Sequence, residues 1–253
     1  MQIRTALFRV YWALEKVIAP RLRYAQYLYE EVLGSHVDDR TQWLDLGCGH
    51  NILPPWRAQQ EEQLVDKCAR VVGIDADLPS LRKHLTIKRR IAGSIGQLPF
   101  RDGSFSLVTA NMVVEHLEAP AAQFAEIARV LRPGGIFLIH TPNRRGYSTR
   151  AAMLIPAPLK RKLINLLESR TEGDVFETFY RANTKEEIES LAAPAGFDVR
   201  KIRLIVSSAE LAVLPPLVPF ELVLIRLLMT ERLKSYRTHI LAVLQKKNAK
   251  TIR

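Results

Sequence analysis

The chain predicts an α/β fold: a mostly parallel sheet with helices on both faces. Strand-like apolar runs alternate five times with helix-like segments between Thr41 and Pro142, the pattern of a parallel sheet with crossover helices. The run Ile136-Phe137-Leu138-Ile139 is apolar without alternation, as a strand buried on both faces requires. Hydrophobic residues make up 47% of 253, enough for one large α/β domain carrying insertions and too many for wholesale disorder.

Residues 3–33 read as two helices. Ile3, Leu7, Val10, Leu14, Val17 and Ile18 recur at three- and four-residue steps, Pro20 interrupts, and Gly34 suits a helix end. The aromatic group Tyr11, Trp12, Tyr24, Tyr27 and Tyr29 either covers a ligand or packs these helices onto the sheet. The stretch Thr41–Ile52 organises the chain around it. Trp43, Leu44 and Leu46 make a short buried strand, Asp45 sits near its end, and Gly47 and Gly49 turn the chain where a Cβ would block backbone approach to a ligand. The carboxyl end of such a strand is where open α/β sheets bind nucleotides. Trp56–Cys68 is helix-compatible, and Arg70–Asp75 is a second strand. A carboxylate at the place of Asp75 can accept two hydrogen bonds from a ribose diol; the alternative is a helix N-cap, a place that Asp77 suits better ahead of Pro79-Ser80-Leu81.

Leu81–Arg90 reads as a basic helix and Ile91–Ile95 as a short third strand. Strand four is expected at Ser106–Asn111, the segment Val113–Leu117 opens the next helix, and Ala121–Leu131 is amphipathic. Pro133-Gly134-Gly135 stops that helix before strand five, Gly135–His140. An insertion at 144–183 holds a basic helix at Ala157–Ser169 with Lys160, Arg161 and Lys162. Thr184-Lys185-Glu186-Glu187 forms a capping box for a helix at 185–195, and Phe197–Val206 is strand six. Residues 209–237 form a second insertion, rich in Leu and Val; three prolines, Glu221 and Arg226 argue against a membrane-spanning helix. Thr238–Gln245 is the last strand, followed by a basic tail with Lys250 and Arg253.

The formal net charge of +11 is unevenly spread: residues 1–138 hold 17 Lys and Arg against 15 Asp and Glu, whereas 139–253 hold 20 against 11. That suits an anionic partner or a well-solvated basic surface. Cys48 and Cys68 have no metal-like spacing, so neither a metal centre nor a disulfide scaffold is expected, and a cytoplasmic setting is. The N-terminus lacks the long apolar run of a signal peptide.

The order of motifs resembles the class I S-adenosylmethionine (SAM)-dependent methyltransferases, in the branch with methyltransferase type 11-like domains. Asp45-Leu46-Gly47-Cys48-Gly49, Gly73-Ile74-Asp75-Ala76-Asp77, Leu98-Pro99-Phe100, Glu115-His116-Leu117 and Leu131-Arg132-Pro133-Gly134-Gly135 succeed one another as in that branch, over about residues 40–142. The resemblance implies a Rossmann-like, seven-stranded sheet whose last strand returns antiparallel, with helical insertions over its carboxyl edge forming a substrate lid. It implies SAM as cofactor and S-adenosylhomocysteine (SAH) as product, held by Asp45, Gly47, Cys48, Gly49, Asp75, Ala76, Ser94, Ile95 and Asn111. Two departures stand out. Ser94 occupies the place of an acidic residue that contacts the adenine amino group, implying a weaker contact there. Ser106 replaces an Asp that generally supports the fold.

Methyl transfer from a sulfonium needs mainly alignment and exclusion of water, and a hydroxyl acceptor would add the need for a base. His140 and His116 are the candidates for that base, and Tyr147 for positioning the acceptor; each also fits a packing or surface role. The second insertion, apolar with basic flanks, suggests a small or amphipathic, lipid-like acceptor, or peripheral docking at the anionic inner face of a membrane; a dimer interface or self-packed lid is the alternative. A non-catalytic scaffold of the same fold is the second reading of the whole chain. A nicotinamide-dependent oxidoreductase is disfavoured because Ile52 stands where the third glycine of Gly-x-Gly-x-x-Gly belongs. Nucleic acid is not expected as a partner, since Asn111-Met112-Val113-Val114 stands where a base-methylating motif would lie.

Overall fold

The structure, a computed structural model, describes residues 2–154, 177–207, 209 and 215–248. The expected helix at 157–169 and the tail residues Lys250 and Arg253 lie outside them. Two N-terminal helices, α1 (Gln2–Ile18) and α2 (Ala25–Gly34), precede the first strand. Strands β1 (Gln42–Leu46), β2 (Arg70–Asp75), β3 (Arg89–Ala92), β4 (Phe105–Asn111) and β5 (Leu131–Pro142) then alternate with α3 (Ala58–Lys67), α4 (Leu78–Lys83) and α5 (Pro120–Val130). After β5 come α6 (Tyr147–Leu154), α7 (Lys185–Ala192), β6 (Phe197–Ile205), α8 (Val218–Leu228) and β7 (His239–Lys246).

The seven strands form one sheet in the order β3-β2-β1-β4-β5-β7-β6. β1 pairs in parallel with β2 and β4, β2 with β3, and β4 with β5. The last part of the sheet is antiparallel, so the fold is Rossmann-like and mostly parallel. Trp43, Leu44, Ile74, Val108, Phe137, Leu138 and Ile139 are fully buried along the central strands. Phe137 meets Phe124 of α5 edge-on at 5.6 Å and Phe197 of β6 at 5.9 Å. Such pairs add roughly 0.5–1.5 kcal/mol each beyond area burial.

Two compact units emerge from the packing. The sheet unit comprises Tyr29–Thr141, Thr178–Arg203 and Ile240–Arg253. The helical unit gathers three separate stretches, Met1–Leu28, Pro142–Glu177 and Leu204–His239. It draws together the N-terminal stretch and most of the two expected insertions. Its apolar cluster joins Tyr11 and Ala19 of the N-terminal stretch to Val218, Leu222, Ile225 and Leu228 of α8. Arg237 fastens its loops: the guanidinium donates to the carbonyls of Leu228 (3.0 Å), Met229 (3.0 Å) and Leu204 (3.1 Å). Those at Leu228 and Met229 are carbonyls that the end of α8 leaves without helical donors. No helix among the described residues is long and apolar enough to cross a membrane.

Three local expectations are corrected. Leu81–Arg90 is not a helix: α4 ends at Lys83, and Arg89 and Arg90 already belong to β3. The Arg90 guanidinium donates to the Leu81 and His84 carbonyls at 2.9 and 2.6 Å, satisfying the short helix's last acceptors. The third strand therefore sits at Arg89–Ala92, and Ser94 and Ile95 lie in the turn after it. Pro133-Gly134-Gly135 does not precede strand five but lies within it, at a register shift opposite Phe105 and Leu107. Gly134 takes φ +75°, and a Cβ on Gly135 would come within 2.8 Å of the Arg132 carbonyl, so both glycines serve this irregularity. The capping box is offset. Thr184 Oγ1 accepts from the Glu187 N–H at 3.2 Å, but Glu187 returns its carboxylate to the N–H of Asn183, one residue early, and α7 ends at Ala192.

Candidate functional site

The turn after β1 is shaped by two left-handed glycines, Gly47 at φ +59° and Gly49 at φ +52°. A Cβ on Gly47 would lie 2.5 Å from Val113 Cγ2, so only glycine lets this turn pass the end of β4. At Gly49 the constraint differs: an added Cβ would meet nothing within 4 Å, so the backbone there borders open space. Between them Cys48 is buried, its Sγ against Gly73 of β2, where any Cβ would sit 2.6 Å from the sulfur. Burial pushes the Cys48 thiol far up, and that of Cys68 up to about 11.

Asp75 closes the arrangement. Its Oδ2 accepts the Gly49 N–H at 2.8 Å and its Oδ1 accepts the Asp77 N–H at 2.8 Å. Asp75 and Gly49, 26 residues apart in sequence, are thus bonded directly. Each carboxylate oxygen spends one lone pair on a backbone donor and retains another that a ribose hydroxyl can use. Asp77 precedes α4 without a side-chain capping bond. Ser94 is exposed and its Oγ accepts the Gly96 N–H at 3.1 Å, leaving the hydroxyl proton and a second lone pair. The pieces fit a nucleoside carrying a ribose diol.

Beneath the turn lies a buried polar chain that the motif alone does not reveal. Asp45 faces Thr109 across the β1–β4 register. Trp43 Nε1 donates to Thr109 Oγ1 at 2.6 Å, and that hydroxyl donates onward to Asp45 Oδ1. Burial pushes Asp45 up to about 7, against the pull of the Thr109 bond and with the charges of Glu61 and Asp75 adding to the rise. Glu61 of α3 is a second buried acid. Its Oε2 accepts the Ile52 and Leu53 N–H groups at 2.9 and 2.8 Å, and its Oε1 accepts the Thr86 hydroxyl. No sequence signal marks Glu61, because its only local neighbours are polar residues of an ordinary helix.

Asn111 and His140 are paired in the β4–β5 register. Asn111 Nδ2 donates to the Ile52 carbonyl at 3.3 Å, so its Oδ1 is an acceptor, and His140 Nδ1 lies 2.7 Å from it. Nδ1 therefore carries the proton, and Nε2 is the basic nitrogen of a ring that also stacks on Tyr29 at 5.6 Å. Met112, next in the chain, takes φ +58° and donates its N–H to the His140 carbonyl at 2.7 Å. His116 ends a single 3₁₀ turn, Val114–His116, where a longer helix is expected. The neighbouring Glu115 is buried, raised by that burial, and accepts the Thr141 hydroxyl at 2.8 Å, which in turn accepts Asn183 Nδ2 at 2.7 Å. Tyr147 belongs to the helical unit, where its hydroxyl donates to Glu221 Oε1 at 2.5 Å. Of the aromatic group, Tyr11 enters the helical unit's core while Tyr29 is fully buried in the sheet unit. Among the described residues no cluster of His, Cys, Asp and Glu is grouped to hold a metal.

Asp45, Gly47, Cys48, Gly49 and Asp75 are thus gathered at one end of β1 and β2, with Ala76 next in the chain, and Asn111 reaches the same loop through Ile52. Residues 44–139, which span this constellation, match the model of a methyltransferase domain. Over this stretch the chain is similar to the class I SAM-dependent methyltransferases. A probable S-adenosylmethionine-dependent methyltransferase of Mycolicibacterium smegmatis is 34% identical over 42% of this chain and 39% of its own. A ubiquinone biosynthesis O-methyltransferase of Burkholderia vietnamiensis is 31% identical over 40% of this chain and 44% of its own. The matches thus span about two-fifths of the length of these relatives. At the level of fold, the crystal structure of a SAM-dependent methyltransferase from Mesorhizobium loti superposes with a TM-score of 0.54 at 16% identity, covering 88% of this chain and 98% of that one.

Proposed function

We propose that this protein is a SAM-dependent methyltransferase acting on a small or amphipathic acceptor. The observation that carries the reading is the 2.8 Å bond from the Gly49 N–H to Asp75, which joins the glycine turn of β1 to the carboxylate at the end of β2. Asp75 would hold the ribose diol, Gly47–Gly49 would lie along the amino-acid end, and Ser94 with Ile95 would face the adenine. When bound, SAM supplies an activated methyl group; the chain aligns it and keeps water out. Asn111 fixes the tautomer of His140, which supports Nε2 as the base for a hydroxyl acceptor. The nicotinamide reading is further weakened at Ile52 and Leu53. Their N–H groups, which a pyrophosphate would seek, are bound by Glu61, whose carboxylate repels such a ligand. The amphipathic acceptor draws support from the apolar second insertion and from the relative that acts in ubiquinone biosynthesis.

Calorimetric titration with SAH tests the cofactor site. Wild type binds, and Asp75→Asn loses at least about tenfold in affinity, the worth of a charge-assisted bond or more. Equal affinity in the two proteins overturns the ribose assignment. Incubating cell extract with methyl-labelled SAM tests the acceptor: the label is expected in the organic phase, and label confined to water-soluble product overturns the amphipathic part.

A further inference from the structure

The geometry points to the helical unit as a membrane-docking module: we propose that the outer face of α8 seats in the interface of an anionic lipid bilayer. α8 reads Val-Pro-Phe-Glu-Leu-Val-Leu-Ile-Arg-Leu-Leu and is apolar nearly all round. Helices of that kind are ordinarily enclosed on every side. Among the described residues this one is enclosed on one side only. Val218, Leu222, Ile225 and Leu228 enter the core cluster of the helical unit. The opposite stripe, at three- and four-residue steps, faces outward: Phe220 is 75% exposed, Val223 49% and Leu227 50%. An isolated exposed leucine is ordinary, but a continuous stripe on one helix calls for a cover.

Charge says what the cover is. The three stretches of the helical unit contain 16 Lys and Arg against 8 Asp and Glu, so they carry +8 of the chain's +11. Basic side chains border the stripe itself. Arg226 lies at its edge and reaches the Ile18 carbonyl at the end of α1 at 3.1 Å, bringing the exposed Val17 alongside. Exposed Arg232 and Lys234 come next, in the 3₁₀ turn Glu231–Tyr236. An apolar stripe that penetrates the headgroup boundary, edged by cations that meet anionic headgroups, is the arrangement of an interfacial helix. A second copy of the chain would bring like charge against like charge.

The test uses the full chain and needs no cofactor, so it stands or falls apart from the methyl-transfer reading. The protein is sedimented at low salt with vesicles of phosphatidylglycerol and phosphatidylcholine, and with phosphatidylcholine alone. Binding is expected to the anionic vesicles only, weakening as salt rises. Phe220→Ser combined with Val223→Ser and Leu227→Ser is expected to reduce it at least about tenfold, and Arg232→Gln with Lys234→Gln several-fold. Circular dichroism checks that each variant is folded. As a second readout, the emission that Phe220→Trp adds to the wild-type spectrum is expected to be quenched by brominated phosphatidylglycerol. Absent binding at low salt, equal binding to neutral vesicles, added emission from Phe220→Trp that stays unquenched, or a dimer in sedimentation velocity that Phe220→Ser dissolves would each overturn the proposal.

Discussion

The sheet unit and the helical unit differ in net charge and, among the described residues, in how many acids they bury: three in the first and one in the second, Glu221 beneath the Tyr147 hydroxyl. In the sheet unit three acids, Asp45, Glu61 and Glu115, are buried, and each is met by a hydroxyl or by backbone N–H donors. The unit is near charge balance, +3 of the chain's +11. The helical unit is held by an aliphatic cluster around α8, carries the remaining positive charge, and turns apolar side chains outward. Buried polar networks specify one geometry, because any shift leaves a donor or acceptor unmet in a low-dielectric interior. Aliphatic clusters tolerate exchange of shape if volume is conserved. The difference teaches that the sheet unit fixes its geometry more tightly than the helical unit, as a ligand site of the proposed kind requires.

Substitutions at three depths sharpen that contrast. The largest effect is expected at Gly47→Ala. A left-handed φ and a Cβ 2.5 Å from Val113 together should cost about 3 kcal/mol, measured by urea unfolding. A loss under about 1 kcal/mol would mean the turn yields, and the idea of a rigid ligand-holding unit would fail. Next is Thr109→Val, which strips a donor from Asp45 and an acceptor from Trp43. It should cost about 2 kcal/mol at pH 5 and about 3 kcal/mol at pH 8, where Asp45 is charged and needs the donor more. The sign comes from the raised Asp45, at about 7: the folded protein keeps a proton that the unfolded chain releases. Asp45 therefore withdraws stability as pH rises from about 4 through about 7. His84 and His239, both lowered to about 4 by burial, act in the reverse sense, adding stability as pH rises from about 4 to 6.5. A pH-independent cost at Thr109 would show that Asp45 does not titrate in that window. The smallest effect belongs to Phe220→Ser, expected to change stability by no more than about 0.5 kcal/mol because the ring is exposed. A loss of several kcal/mol would show that α8 is enclosed on both faces after all.

Legibility divides along the same line. The Asp45–Gly49 turn, the strand ending at Asp75 and the fully apolar β5 are readable, because glycine stereochemistry and both-face burial leave strong local marks. β3 is not. It is an edge strand, paired to β2, and Arg89, Arg90 and Ala92 are exposed, so the apolar signal of a strand is missing and a basic helix fits the residues equally well. The partners of Asp45 and the clasp of Glu61 on Ile52 and Leu53 are equally hidden, since they join residues brought together only by the crossover topology. That the N-terminal stretch and the two insertions cluster as one unit escapes a linear reading for the same reason.

The contact of Cys48 with Gly73 has a practical corollary. With its sulfur buried against Gly73 of β2 and its ionisation suppressed, Cys48 should ignore alkylating reagents until the glycine bend swings open. Its labelling rate in a Cys68→Ser background then becomes a clock for that opening, and saturating SAH should slow the clock in proportion to occupancy.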